Sequence, residues 1–177
     1  MSNNKFKGAL FKRLMPLYIA IFCQGFVLWY ATEKLFMVSI GFNAATIGVM
    51  VALYSAVIIL AETPSGILAD RWSRKGVLVL AALALSISGL IGGLSDSIPI
   101  FLLSTCFWGL FFALYSGTYD SVIYDTLLEE TGKSDKFERY LGLMKFLDGT
   151  ALVIGALLGG LIAQFVGLRE TYLFTIP

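Results

Sequence analysis

Three carboxylates, Glu62, Asp120 and Asp148, interrupt apolar runs otherwise long enough to cross a bilayer. A charge in hydrocarbon costs about 3 kcal/mol or more, so such a side chain faces a partner or a water-filled path. The chemistry open to it there is to take up and release a proton or a metal cation, or to pair with a base. Lys145 stands three residues before Asp148 and shares its helix face, which makes those two a candidate pair. Each carboxylate can equally be a satisfied structural group, and the sequence leaves both readings open. Glu33 falls near the end of the first run, at the outer surface. Trp29, Tyr30, Trp108, Tyr115 and Tyr119 offer π faces to an apolar or cationic ligand. The same rings also suit helix packing or an interfacial belt. With no histidine in the chain, a His-based metal site, a His proton relay and a Ser–His nucleophile are excluded. No metal and no cofactor is expected.

The elements that must position these residues follow from composition. Hydrophobic residues make up 58% of the chain and charged ones 14%, against roughly 25% charged in a soluble domain. The excess falls into blocks of about 20 residues, the length that spans a hydrocarbon core of about 30 Å. Five spans are expected near residues 14–36, 45–69, 76–94, 98–124 and 141–165, with a sixth starting at 171 and the chain stopping soon after. The run after Lys12 and Arg13 is longer than a signal-peptide core and lacks a small-residue cleavage site, so it reads as a retained span. Cys23 and Cys106 lie inside apolar runs and read as buried thiols rather than a disulfide framework. Nothing resembles a basic nucleic-acid face.

Lysine and arginine segregate by loop. The N-terminal arm carries Lys5, Lys7, Lys12 and Arg13, the loop near 70–76 carries Arg71, Arg74 and Lys75, and the segment 125–140 carries Lys133, Lys136 and Arg139. The intervening loops hold only Lys34 and Arg169. The positive-inside bias then predicts a cytoplasmic N-terminus, with those two loops on the same side. Asn43 or Thr46 is placed to cap the second span and Pro99 suits an early helical position. Asp70 is placed to cap the third, and residues 128–140 read as a surface helix or loop.

The stretch Gly66-Ile67-Leu68-Ala69-Asp70-Arg71-Trp72-Ser73-Arg74-Lys75 resembles the G-x-L-A-D-R-x-G-R-K signature of the major facilitator superfamily, in the loop between its second and third helices. The family's acidic position falls on Asp70 and its first arginine on Arg71; the later basic pair falls on Arg74 and Lys75, and Ser73 replaces the second glycine. The resemblance implies that this loop steadies one conformation against the other half of a transporter, with Asp125 as partner of Arg74. Glu62-Thr63-Pro64-Ser65-Gly66 is similar to a Glu-x-Pro-[Ser/Thr]-Gly run of drug-efflux-like members, with a distortion expected at Pro64. Gly155, Gly159 and Gly160 resemble the glycine motif of the family's fifth helix, with Ala151 and Ala156 in place of its first glycine and its proline. They also fit ordinary close helix packing. The fourth span has no lysine or arginine between Phe101 and Tyr124, where many proton-coupled members carry one.

The implied fold is the all-α N-terminal six-helix half of a twelve-helix membrane transporter, here without its C-terminal half. The implied activity is secondary active transport of a small molecule through the cell membrane by alternating access, as drug/ion antiport with proton or sodium coupling through Glu62, Asp120 or Asp148. A non-transporting scaffold or sensor on the same fold is the alternative. Membrane lipid, the substrate and the missing half are the expected partners.

Overall fold

Each apolar run becomes a helix because, in lipid, a backbone that does not bond to itself leaves costly unpaired amides. The computed structural model describes the backbone of residues 2–133 and 136–175, and side chains from Leu10 onward within them. The side chains of Lys5 and Lys7, and the last two residues of the expected sixth span, lie outside the described residues. The order is α1 (Ser2–Gly25), α2 (Glu33–Ser39), α3 (Ala44–Arg71), α4 (Arg74–Leu94), α5 (Ile98–Thr131), α6 (Phe137–Phe165) and α7 (Leu168–Leu173), with no strand among the described residues. By length and composition, α3, α4, α5 and α6 can each cross a membrane.

Local signals set the boundaries. Asn43 and Thr46 form a reciprocal cap on α3: Thr46 N–H donates to Asn43 Oδ1 at 3.0 Å and Asn43 N–H to Thr46 Oγ1 at 2.8 Å. Pro99 sits in the first turn of α5. Helix α5 ends at Gly132, whose φ of 65° is the left-handed conformation that glycine adopts without a Cβ penalty. Its 34 residues extend about 50 Å at 1.5 Å per residue, more than the hydrocarbon core. Its last turns therefore project beyond it, where Arg13 of α1 donates to Glu130 at 2.7 Å and also pairs with Glu129. Residues 128–131, expected in a separate surface element, continue α5 instead, and α6 begins at Phe137 rather than near 141. Helix α3 runs unbroken through Pro64. Ser65 Oγ there shares its one hydrogen between Glu62 O and Ala113 O on α5, both at 2.8 Å, tying the turn after the proline to α5.

The packing has two groups joined through α5. Helices α3 and α4 lie along α5, α1 lies against α6, and α7 rests on α4, α6 and α2. Ser88 on α4 and Ser104 on α5 each donate to the other's carbonyl oxygen, at 3.0 and 2.8 Å. This reciprocal clasp suits an interface that hydrophobicity alone does not drive in lipid. Ile59, Leu60, Leu157 and Phe165 stand largely exposed on α3 and α6.

The first expected span, 14–36, is where the structure differs most. Helix α1 stops at Gly25, residues 26–32 are non-helical, and α2 starts at Glu33. The cause lies on α6. A Cβ on Gly155 would stand 3.1 Å from Val27 N, and one on Gly159 would overlap the Leu28 carbonyl. The glycine face of α6 thus takes up an unwound backbone rather than another helix. Part of that backbone is paired: Val27 N–H donates to Gly25 O at 2.9 Å and Leu28 N–H to Thr175 Oγ1 at 3.1 Å. Gly160 lies off this face, with open space where its Cβ would be. Two of the three glycines expected to pack therefore make the contact.

Candidate functional site

The charged turn between α3 and α4 is built by a serine. Ser73 Oγ accepts from Gly76 N–H at 3.2 Å and caps α4. Asp70, expected in that role, lies in the last turn of α3, 3.6 Å from Arg74. Arg74 Nη1 donates to Ser121 O at 2.9 Å and to the Asp125 carboxylate, joining the start of α4 to α5. Arg71 and Lys75 are exposed at the turn. A cleft of about 190 Å³ between α3 and α5 is lined by Glu62, Gly66, Asp70 and Ser121. Around Ser121, Asp120 and Asp125 line an open recess of about 380 Å³ with Arg74 and Phe137.

Asp148 on α6 is half-buried against the end of α1: its Oδ1 lies 2.7 Å from where a Cβ on Gly25 would be. A cleft of about 10 Å³, the room of one water, lies between Asp148, Asp120, Lys145, Tyr115 and Tyr119. Tyr119 donates to Gln24 Oε1 at 2.9 Å. Asp120 and Asp148 thus share one small polar cleft, while Glu62 lines a separate one on the other side of α5.

A cavity of about 330 Å³ opens at the break between α1 and α2, toward the end of the bundle opposite the Ser73 turn. Trp29, Tyr30 and Glu33 come from the break and the start of α2, Met50, Val51 and Tyr54 from α3, Ser88 from α4, Trp108 and Phe112 from α5, and Tyr172 from α7. Trp29 stacks on Tyr172 with ring centres 4.9 Å apart and 3° between planes, and meets Trp108 edge-on, also at 4.9 Å. Tyr54 and Phe112 meet edge-on at 5.9 Å. Glu33, paired among the described residues with its neighbour Lys34 at 2.9 Å, supplies the carboxylate. Aromatic faces beside a carboxylate attract a flat or cationic amphiphile. Trp29, Tyr30 and Trp108 are the rings that the sequence suggests for a ligand; Tyr115 and Tyr119 lie instead at the Asp148 cleft. Sequence reasoning missed Tyr54, Tyr172 and the place of Glu33 in this wall. Among the described residues no three His, Cys, Asp or Glu side chains cluster to hold a metal.

Apolar helices able to cross a membrane, connected by short polar turns and enclosing an aromatic cavity at a broken helix, define a multi-pass membrane protein with a ligand-sized site. The family model of the Major Facilitator Superfamily matches residues 14–177. The chain belongs to that family. It is 29% identical over 140 residues to the "Multidrug resistance protein 2" of Bacillus subtilis (strain 168), covering 78% of this chain and 33% of that protein. It is 28% identical over 130 residues to the "Efflux pump azaK" of Aspergillus niger, covering 73% of this chain and 26% of that protein. The chain therefore spans about a third or less of the length of these relatives.

Proposed function

We propose that this chain is the N-terminal, ligand-holding half of a secondary active transporter that exports aromatic, positively charged small molecules from the cell by alternating access. The observation that carries the reading is the cavity of about 330 Å³ in which Trp29, Tyr54, Trp108 and Tyr172 surround a space bordered by Glu33. Substrate sites in transporters form where a membrane helix is interrupted, and this cavity sits at the interruption after Gly25. The name of one relative, an efflux pump, supports export, and that of the other, a multidrug resistance protein, supports a drug-like ligand. Asp148, with Asp120 in the same cleft, is the carboxylate placed to carry a coupling proton or sodium ion, because it abuts the end of α1 just before the break. Glu62, in a cleft with Asp70, serves the cytoplasmic end of the path. Gly66, Asp70, Arg71, Arg74, Lys75 and Asp125 steady one conformation against a second, C-terminal half, with the N-terminus and the Ser73 turn in the cytoplasm of a plasma-membrane protein.

The test is uptake of tetraphenylphosphonium by proteoliposomes holding the intact protein, under an imposed proton gradient, a sodium gradient, or neither. Flux that rises with one gradient, falls at least tenfold in Met50→Trp, which fills the cavity, and loses its gradient dependence in Asp148→Asn supports the reading. Flux absent under every gradient, or unchanged in Met50→Trp, overturns it.

A further inference from the structure

Glu33 borders the aromatic cavity, and its side chain is 23% exposed. Its charge acts on the hydroxyls of Tyr54 and Tyr172, which stand in two walls of that cavity, so the carboxylate lies among them. A carboxylate held largely out of water needs a counter-ion. The one it has among the described residues is Lys34, whose Nζ lies 2.9 Å from Glu33 Oε2. Neighbours on a helix do not face each other. The lysine stem therefore curls back to reach the carboxylate, and the same Nζ lies 3.7 Å from Met37 Sδ, one turn along α2. Lys34 is itself 58% exposed and reaches Glu33 from outside the cavity wall. Arg169, the other base at this end of the bundle, is committed elsewhere: it donates to Ser95 O at 3.0 Å and lies over the Phe36 ring.

We propose that Lys34 is a tethered counter-ion that competes with cationic ligand for Glu33. Without ligand, the ammonium neutralises the carboxylate. An entering cation takes its place, and the ammonium, strongly hydrated and on a flexible stem, swings into water. Binding is then an exchange of one cation for another. The tether acts in both directions. By returning to Glu33, Lys34 speeds departure of the ligand through the end of the cavity that opens away from the Ser73 turn. A neutral ligand of similar shape leaves the ion pair closed and gains nothing when the lysine is removed. Lys34 thus sets how tightly a positive charge is held, whereas the rings hold the aromatic body. This inference rests on the cavity being the ligand site and adds the competitor built beside it.

The test measures dissociation constants on the intact protein in lipid nanodiscs, with tetraphenylphosphonium and with the neutral triphenylphosphine oxide. Lys34→Met is expected to bind tetraphenylphosphonium roughly two- to fivefold more tightly, the range of one exposed ion pair, and to release it more slowly. It binds triphenylphosphine oxide as wild type does. Lys34→Arg, which keeps the charge, keeps the wild-type affinities. In a Glu33→Gln background, which has no carboxylate to compete for, Lys34→Met changes neither affinity; a lysine that merely repels cations from a distance would still show its effect there. Unchanged tetraphenylphosphonium affinity in Lys34→Met, or the same gain in the Glu33→Gln background, overturns the proposal. If wild type binds tetraphenylphosphonium and Met50→Trp abolishes it while Lys34→Met changes nothing, the cavity reading stands and the counter-ion alone falls. No binding of tetraphenylphosphonium by wild type removes both.

Discussion

Replacing Gly159 by alanine sets a methyl group against backbone that has no room to yield. The added Cβ would lie 2.6 Å from the Leu28 carbonyl carbon and 3.1 Å from its Cα, besides overlapping the carbonyl oxygen. Overpacking of this kind costs about 3 kcal/mol, and alanine's better helix propensity returns about 1 kcal/mol. The net loss is then about 2 kcal/mol, a fall of roughly 4–8 °C in melting temperature for a chain of this size. Gly160→Ala meets nothing within 4 Å and keeps only the propensity gain, so it should melt slightly higher than wild type. Gly155→Ala, with its Cβ 3.1 Å from Val27 N, should fall between them. The assay is thermal unfolding in detergent, in a background without the exposed Cys23, followed by a thiol-reactive dye reporting on Cys106. Gly159→Ala as stable as Gly160→Ala would refute the close approach of α6 to the unwound segment, and with it the explanation of the break.

Other outcomes follow from the same geometry. Arg74→Gln and Asp125→Asn should show a coupling of up to about 1 kcal/mol in a double-mutant cycle, the range for partly exposed pairs; strictly additive effects contradict a direct pair. Ser104→Ala should cost about 1 kcal/mol of stability because it breaks one bond of the clasp with Ser88, measured by the same melt; no change means that the clasp contributes nothing. Trp72→Cys, in a background without Cys23 and Cys106, should react with a membrane-impermeant maleimide only from the cytoplasmic side; reaction from outside alone inverts the proposed orientation.

The sequence made the long helices visible because their apolar runs are uninterrupted and bounded by strong punctuation: Asn43 with Thr46, Pro99, and the charged turn at 70–75. The resemblance of the 66–75 turn to the family signature implied Asp125 as partner of Arg74, and Arg74 donates to Asp125 in the structure. The cap on α4 was misread because Asp and Ser are both good capping residues, and spacing alone does not say which is first to leave the helix. The broken first span was illegible because residues 26–32 are as apolar as a helix interior. What unwinds them is a contact from α6, more than a hundred residues away, and hydropathy carries no trace of it. For the same reason Tyr172 could not be joined to Trp29 before the fold was known. The continuation of α5 past the membrane was hidden by its polar last turns, which read as loop where helix propensity and the Arg13 contacts hold them helical.

The claim on which the account turns is that ligand occupies the aromatic cavity at the helix break. The most direct measurement is ligand protection of a cysteine placed in its wall. In the intact protein without Cys23 and Cys106, Val51→Cys lines the cavity and Leu157→Cys lies on the exposed face of α6. Saturating tetraphenylphosphonium should slow maleimide labelling at position 51 severalfold and leave position 157 unchanged. Labelling at 51 that ignores the ligand, or protection equal at both positions, would contradict the account.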